Sequence, residues 1–307
     1  MYKSTGSKAL YANRVGNKLL LILMLGFSIS FAAPTLVYPI DWPAQALTVT
    51  TNFGWNDQGK PTLGTSFESE GPVHAADRGE LIFSHYGSDT ASRLPSPLGA
   101  WVALDHGEGL ISIYSRLEDT KLQELPQVLE KGTVLGVAGR SGWSTRRGFH
   151  FSLFDRKERC WVNPSMIITP LPDTRAPTIQ SVVLRNAEGR IIEPNQISSI
   201  SQGKYTVCVS ATDTRIGPNE NALAPHRILC TVNGSEIGAL TFETYSARDG
   251  ILIVYRNGLV PVKQVYAPAP GFEVGEVWVT RGQVSLEIIA QDIIGNAQSA
   301  VYRLTVE

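Results

Sequence analysis

The segment STRRGFHFSLFD, residues 144–155, places a single histidine, His150, in an alternating run, with Gly148 two positions before it. A zinc hydrolase often sets two histidines at that spacing, because residues i and i+2 of a strand share a face and can ligate one ion. Here one of the pair is missing. The other histidines stand apart. His74 and Asp77 are three residues apart in a turn, His106 lies in the hairpin loop DHGEG, and His85 and His226 read as surface or strand residues. What gathers around His150 is positive charge: Arg140, Arg146 and Arg147 on the preceding loop, and Arg116 at the end of the run LISIYSR. A guanidinium fork suits a carboxylate, which it binds through two parallel hydrogen bonds. Trp143 and Phe149 would supply an aromatic wall to such a surface.

The elements that position these residues are strands. LTVTTNFG, ELIFSHYG, AWVALDHGEG, LISIYSRL and GFHFSLFD are short alternating or apolar runs, punctuated by Gly, Pro, Asn and Asp. KLQELPQVLEKGTVLGVAG holds the one helical turn expected here, and Pro126 and Gly132 keep it short. The proline-rich stretch TPLPDTRAPTIQ reads as a linker. Beyond it IQSVVLRN, KYTVCVSATD, HRILCTVNG, ALTFETYS, GILIVYRNG, VSLEIIAQDIIGN and AVYRLTVE form a second β pattern, expected to be a β-sandwich. IIAQDIIGN resembles the strand ends of bacterial immunoglobulin-like domains. The expected fold class is all-β. A barrel or sheet domain over residues 34–172, with a groove across one sheet, precedes an immunoglobulin-like sandwich over 173–307 that packs as a separate unit.

The N-terminus carries Lys3, Lys8, Arg14 and Lys18 before the apolar run LLLILMLGFSISFAA. The run is short for a bilayer span, and Ser30-Phe31-Ala32 fits the small-x-small cleavage rule. Residues 1–33 are expected to be a cleaved signal peptide, with an uncleaved anchor as the alternative; only that segment would touch a membrane. Export to the periplasm or cell envelope follows. Cys160, Cys208 and Cys230 make an odd count, and Cys208 with Cys230 is the pairing open to the C-terminal half. A net charge of −1 lacks the basic surplus of a general nucleic-acid binder.

Five segments in order, FGWNDQGKPTLGTSFES, GPVHAADRGELIFS, LGAWVALDHGEGLISIYSRL, LEKGTVLGVAG and RSGWSTRRGFHFSLF, resemble the lysostaphin/LytM-type zinc metallopeptidases, which cut peptide cross-bridges in bacterial cell wall. The resemblance runs from about Phe53 to Pro164. It implies a metal loop His-x-Gly-x-Asp where this chain reads Thr62-Leu63-Gly64-Thr65-Ser66. It implies a histidine two residues after Tyr114, where Arg116 stands. It implies His-x-His where the chain reads Gly148-Phe149-His150. Of three zinc ligands and two catalytic histidines, only the third ligand, His150, is kept. Tyr114 keeps its family place.

A catalytic zinc needs about three protein ligands, and hydroxyls are poor ones. Without zinc nothing lowers the pKa of an attacking water. The chain is therefore expected to be a non-catalytic homologue with no cofactor, whose old groove (Thr62, Ser66, Tyr114, Arg116, Arg140, Trp143, Arg146, Arg147, His150) binds peptidoglycan or a cell-wall hydrolase. The alternatives are an active zinc endopeptidase with unorthodox ligands and a structural envelope protein.

Overall fold

The computed structural model describes residues 40–45, 47–87, 96–119, 124–215, 221–266 and 271–307. The expected signal segment lies outside them. Among the described residues the only helices are two single turns, Pro164–Ile167 and Val262–Val265; the remaining elements are strands, as the all-β expectation requires. No helix among the described residues is long and apolar enough to cross a membrane.

Strand Phe149–Asp155 sits at the middle of the first half. It pairs with Leu110–Leu117 on one side, and with Thr65–Glu68 and Cys160–Val162 on the other. Leu110–Leu117 leads on to Ala100–Asp105 and then to Gly79–His85. The two-residue period turns Phe149, Phe151 and Leu153 into the core and puts His150 and Ser152 on the opposite face. Phe149 stacks on Phe67 with centroids 5.0 Å apart, Tyr114 meets Phe151 at 5.3 Å, and Trp42 closes edge-on over Phe67 at 5.5 Å. Phe149 is thus core, not the groove wall expected of it.

In the second half two sheets share one core. Thr178–Asn186, Gly203–Thr214 and Phe272–Val279 form the first. Arg227–Val232, Ser235–Arg248, Gly282–Gln291 and Ala297–Val306 form the second. Val182, Val207 and Val209 of one meet Ile228, Leu240, Phe242 and Ile288 of the other in a single buried cluster. Cys160, Cys208 and Cys230 are buried free thiols, so the pairing of Cys208 with Cys230 is not made; burial pushes the Cys230 thiol up to about 12.

The halves do not part at the proline-rich stretch, as separate packing would require. Cys160–Val162 pairs with Ser235–Arg248, setting Trp161 opposite Tyr245, so one sheet runs through both halves. Tyr38–Glu307 forms one compact unit. The halves also exchange residues. Phe53 is buried in the second core, 5.1 Å from the Tyr245 ring, while Leu223 is buried in the first. The Tyr266 hydroxyl donates to the Gly54 carbonyl at 2.6 Å. Asn52 is bonded both ways to the backbone of Ala224, each bond 2.8 Å long. Pairing covers the edge that Cys160–Val162 would otherwise expose, and an uncovered edge invites association with other chains.

Shared burial predicts shared unfolding. Phe53→Ala should cost about 3–5 kcal/mol, the usual range for a buried phenylalanine. Urea titrations followed by tryptophan fluorescence and by far-ultraviolet circular dichroism should give one coincident transition, shifted to lower urea in the variant. Two separated transitions, with only one shifted, would show that the halves fold apart.

Candidate functional site

Strand register sets His150 opposite Ser66 on one side and Ser115 on the other. Both ring nitrogens are engaged: Nδ1 lies 2.9 Å from Ser66 Oγ and Nε2 lies 3.0 Å from Ser152 Oγ. Arg116 Nη1 donates to the same Ser66 Oγ at 3.2 Å. Burial, and after it the charge of Arg116, pulls the His150 pKa down to about 3, so the ring is neutral near pH 7. A neutral imidazole has one N–H and one lone pair, and two serine hydroxyls use both.

Arg116 reaches Ser66 from an uncommon backbone. Its φ is 65°, in the left-handed region that residues with a Cβ seldom adopt. The conformation is pinned: its N–H donates to the Leu98 carbonyl at 2.8 Å, and its carbonyl accepts from Gly139 N at 3.0 Å. Burial lowers the pKa of the guanidinium while the nearby Asp57 carboxylate supports its charge. It stays protonated, because arginine starts so high.

Arg116 opens onto a groove of about 700 Å³. Of the residues expected there, Thr62, Arg116, Trp143 and Arg146 line it. Trp143 is 83% exposed, so its indole is a free face. The rest of the lining was not foreseen, and three of its residues stand out. Trp55 and Asp57 come from the turn before Thr62, and Asn221 comes from the second half, tied to the Val49 carbonyl at 3.0 Å. No local pattern marks Asn221, which is brought in by the fold.

Other expected residues stand elsewhere. Ser66 and His150 lie behind Arg116 and do not line the groove. Tyr114 is fully buried, and its hydroxyl accepts from Ala76 N at 2.8 Å and bonds Ser112 Oγ at 2.9 Å, so it does not face the groove. Arg140 is exposed outside the lining. Arg147 is spent in an ion pair with Glu118 at 2.6 Å. His106 is more than a turn residue: Nδ1 meets the Arg78 carbonyl at 2.9 Å and Nε2 meets Ser112 Oγ at 2.7 Å, extending the Tyr114 bonds to the hairpin. His74 Nδ1 lies 3.3 Å from the Pro43 carbonyl, His85 ends strand Gly79–His85, and His226 lies 3.9 Å from Glu243.

The donor set around His150 does not fit zinc. It offers hydroxyls, one imidazole with both nitrogens in use, and a guanidinium cation bonded to the central serine. The histidine that the resemblance places at position 148 has no room on this backbone. A Cβ on Gly148 would meet the Phe67 carbonyl oxygen at 2.0 Å, and Gly148 exchanges hydrogen bonds of 2.8 and 2.9 Å with Gly139.

The neutral His150 has a consequence for acid stability. Its folded pKa, about 3, lies below the unfolded value of about 6.5. The unfolded chain therefore takes up this proton first as pH falls. The contribution is fully present above about pH 6.5 and is lost progressively toward pH 3. Urea titrations between pH 7 and pH 4 should show a steeper loss of stability in the wild type than in His150→Gln. Parallel slopes would mean that His150 is not held neutral.

Residues 61–164 match the model of peptidase family M23, and a second family model covers residues 176–307. No curated protein matches the chain. Among solved structures, the chain is similar to the catalytic domain of the prophage-encoded M23 protein EnpA from Enterococcus faecalis, with 19% identity over 38% of this chain and 87% of that one, TM-score 0.32. It is also similar to the antimicrobial peptidase lysostaphin from Staphylococcus simulans, with 14% identity over 87% of this chain and 91% of that one, TM-score 0.34. The resemblance carried by the five sequence segments thus meets a family match on the same stretch: residues 61–164 are an M23-peptidase-like domain.

Proposed function

We propose that this chain is a non-catalytic, peptidase-like protein of the cell envelope whose groove binds a carboxylate-bearing peptide, either in peptidoglycan or on a cell-wall hydrolase. The observation that carries the reading is Arg116. It stands where the family resemblance implies a catalytic histidine, and it donates to Ser66, which stands where that resemblance implies a metal ligand. An M23 active centre uses a dication to polarise a carbonyl and to activate water. A guanidinium attracts an anion but cannot act as a base. With Ser66 and Ser152 closing both nitrogens of His150, its ring has no free lone pair with which to take a proton from water.

The groove retains the means to bind. Arg116 and Arg146 line it with Trp55 and Trp143, so positive charge and aromatic faces meet a common cavity. Charge-assisted hydrogen bonds to a carboxylate are worth about 1.5–3 kcal/mol each where partly buried. The basic, apolar N-terminus supports export to the periplasm or envelope, where such peptides are found, and the second half is read as an immunoglobulin-like sandwich that presents the groove.

Two measurements test this. The purified chain, dialysed against zinc-free buffer, should retain zinc far below one equivalent and should not hydrolyse cell wall; stoichiometric zinc with chelator-sensitive hydrolysis would establish an enzyme instead. Arg116→Gln and Arg146→Gln should each weaken an acidic peptidoglycan stem peptide about tenfold or more at low salt, since about 1.4 kcal/mol is tenfold. Arg147→Gln, which breaks only the pair with Glu118, should leave affinity within about twofold of wild type. Equal affinities across all three variants would move the binding face away from this groove.

A further inference from the structure

The hairpin before Thr62 places a carboxylate in the groove that holds Arg116 and Arg146. Asn56–Asp57 pairs with Lys60–Pro61, and the register sets Asp57 opposite Lys60. Gln58 and Gly59 make the two-residue turn, at φ of 50° and 85°, and Asn56 Oδ1 accepts from Gly59 N at 2.8 Å. The ladder continues inward: Thr62 N donates to the Trp55 carbonyl and Gly54 N to the Thr62 carbonyl, each at 2.9 Å. Trp55 and Asp57, two residues apart on one strand, share a face, and both line the groove with Arg116, Trp143 and Arg146.

These groups are not spent on one another. Among the described residues the Asp57 carboxylate has no hydrogen bond and no ion pair, whether with Lys60 across the hairpin or with either arginine, and the Arg146 guanidinium has none. Asp57 acts on Arg116 only at a distance, supporting its charge. Toward a ligand that carried a carboxylate alone, Asp57 is a handicap, because it repels the group that the arginines attract, and like charges brought together select against a partner. Toward an ammonium it is a partner, and it has company. Trp55 is half-buried and Trp143 presents a free indole face. An indole face attracts an ammonium lying within about 6 Å of its centre, and a carboxylate finds no such attraction there. The groove therefore carries two sets of groups, guanidinium for an anion and carboxylate with indole for a cation.

We infer that the groove reads a ligand bearing both charges, a carboxylate met by Arg116 and Arg146 and an aliphatic ammonium met by Asp57 beside the indoles of Trp55 and Trp143. Asp57 is then the residue that determines specificity. This rests on the function proposed above and narrows it to zwitterionic peptides, with purely acidic peptides second best.

The probes are tripeptides with a free C-terminal carboxylate. Acetyl-capped ones with lysine in the first, second or third place carry a side-chain ammonium, and uncapped trialanine carries it at the terminus. Binding to the purified full chain at low salt is followed by calorimetry and tryptophan fluorescence. The tightest binder should lose about fivefold or more in affinity when its amine is acetylated, and its identity gives the source of the amine. Asp57→Asn should act in opposite directions on the two forms. The free amine should bind more weakly, and the acetylated form equally well or more tightly, since a repelling charge has gone. An aspartate that served only to shape the hairpin would shift both forms alike, and that result would overturn the inference. Arg116→Gln separates the inference from the reading beneath it. If that variant weakens the carboxylate probes while acetylation leaves wild-type affinity within about twofold, the groove binds acids and Asp57 selects nothing. If neither change matters, the groove is not the binding face and both fall.

Discussion

The pairing of strand Phe149–Asp155 on both edges is the constraint on which the first half depends. Leu110–Leu117 holds one edge, and Thr65–Glu68 and Cys160–Val162 share the other. A shift of one residue would turn Phe149, Phe151 and Leu153 out of the core and His150 into it. Burial of three large apolar side chains therefore fixes the register, and the register fixes that His150 faces Ser66. The polar site is a consequence of the apolar face behind it.

Within that frame two basic side chains compete for one desolvated space. Arginine and histidine both lose solvation there, and the charge of Arg116 adds to the cost of charging His150. The outcome follows from their starting points. Arginine begins above pKa 12 and histidine near 6.5, so the imidazole gives up its proton. The site then holds one positive charge aimed at Ser66 and at the groove, and a neutral ring saturated by two serines. A dication would instead require several anionic or neutral donors with free lone pairs directed at a common point.

The joint between the halves is built from exchanged pieces. Phe53 enters the second core, Leu223 enters the first, and Cys160–Val162 carries one sheet across. The groove inherits this arrangement, because Asn221 of the second half forms part of its wall. Rigidity at the joint therefore bears on the shape of the groove.

How much of this was legible in the sequence depended on range. Alternation in FHFSLFD determined a strand, its buried face and the face of His150, because side-chain direction in a strand has period two. Thr62, Ser66, Arg116 and Gly148 carried the expectation that the metal pattern implied by the resemblance is absent, because ligand chemistry belongs to the residue type. Only the tertiary structure decided that Ser152 caps the second nitrogen of His150, that Arg147 is drawn off to Glu118, and that Tyr114 turns its hydroxyl to Ala76. A proline-rich stretch reads as a linker from composition, but whether its flanks separate depends on which strand edges find partners, and here Cys160–Val162 finds Ser235–Arg248. Asp57, Arg146 and Asn221 are far apart in the chain and share no local pattern. Their meeting around one groove is a property of the folded chain, since a wall made from side chains on three separate elements has no signature until packing brings them together.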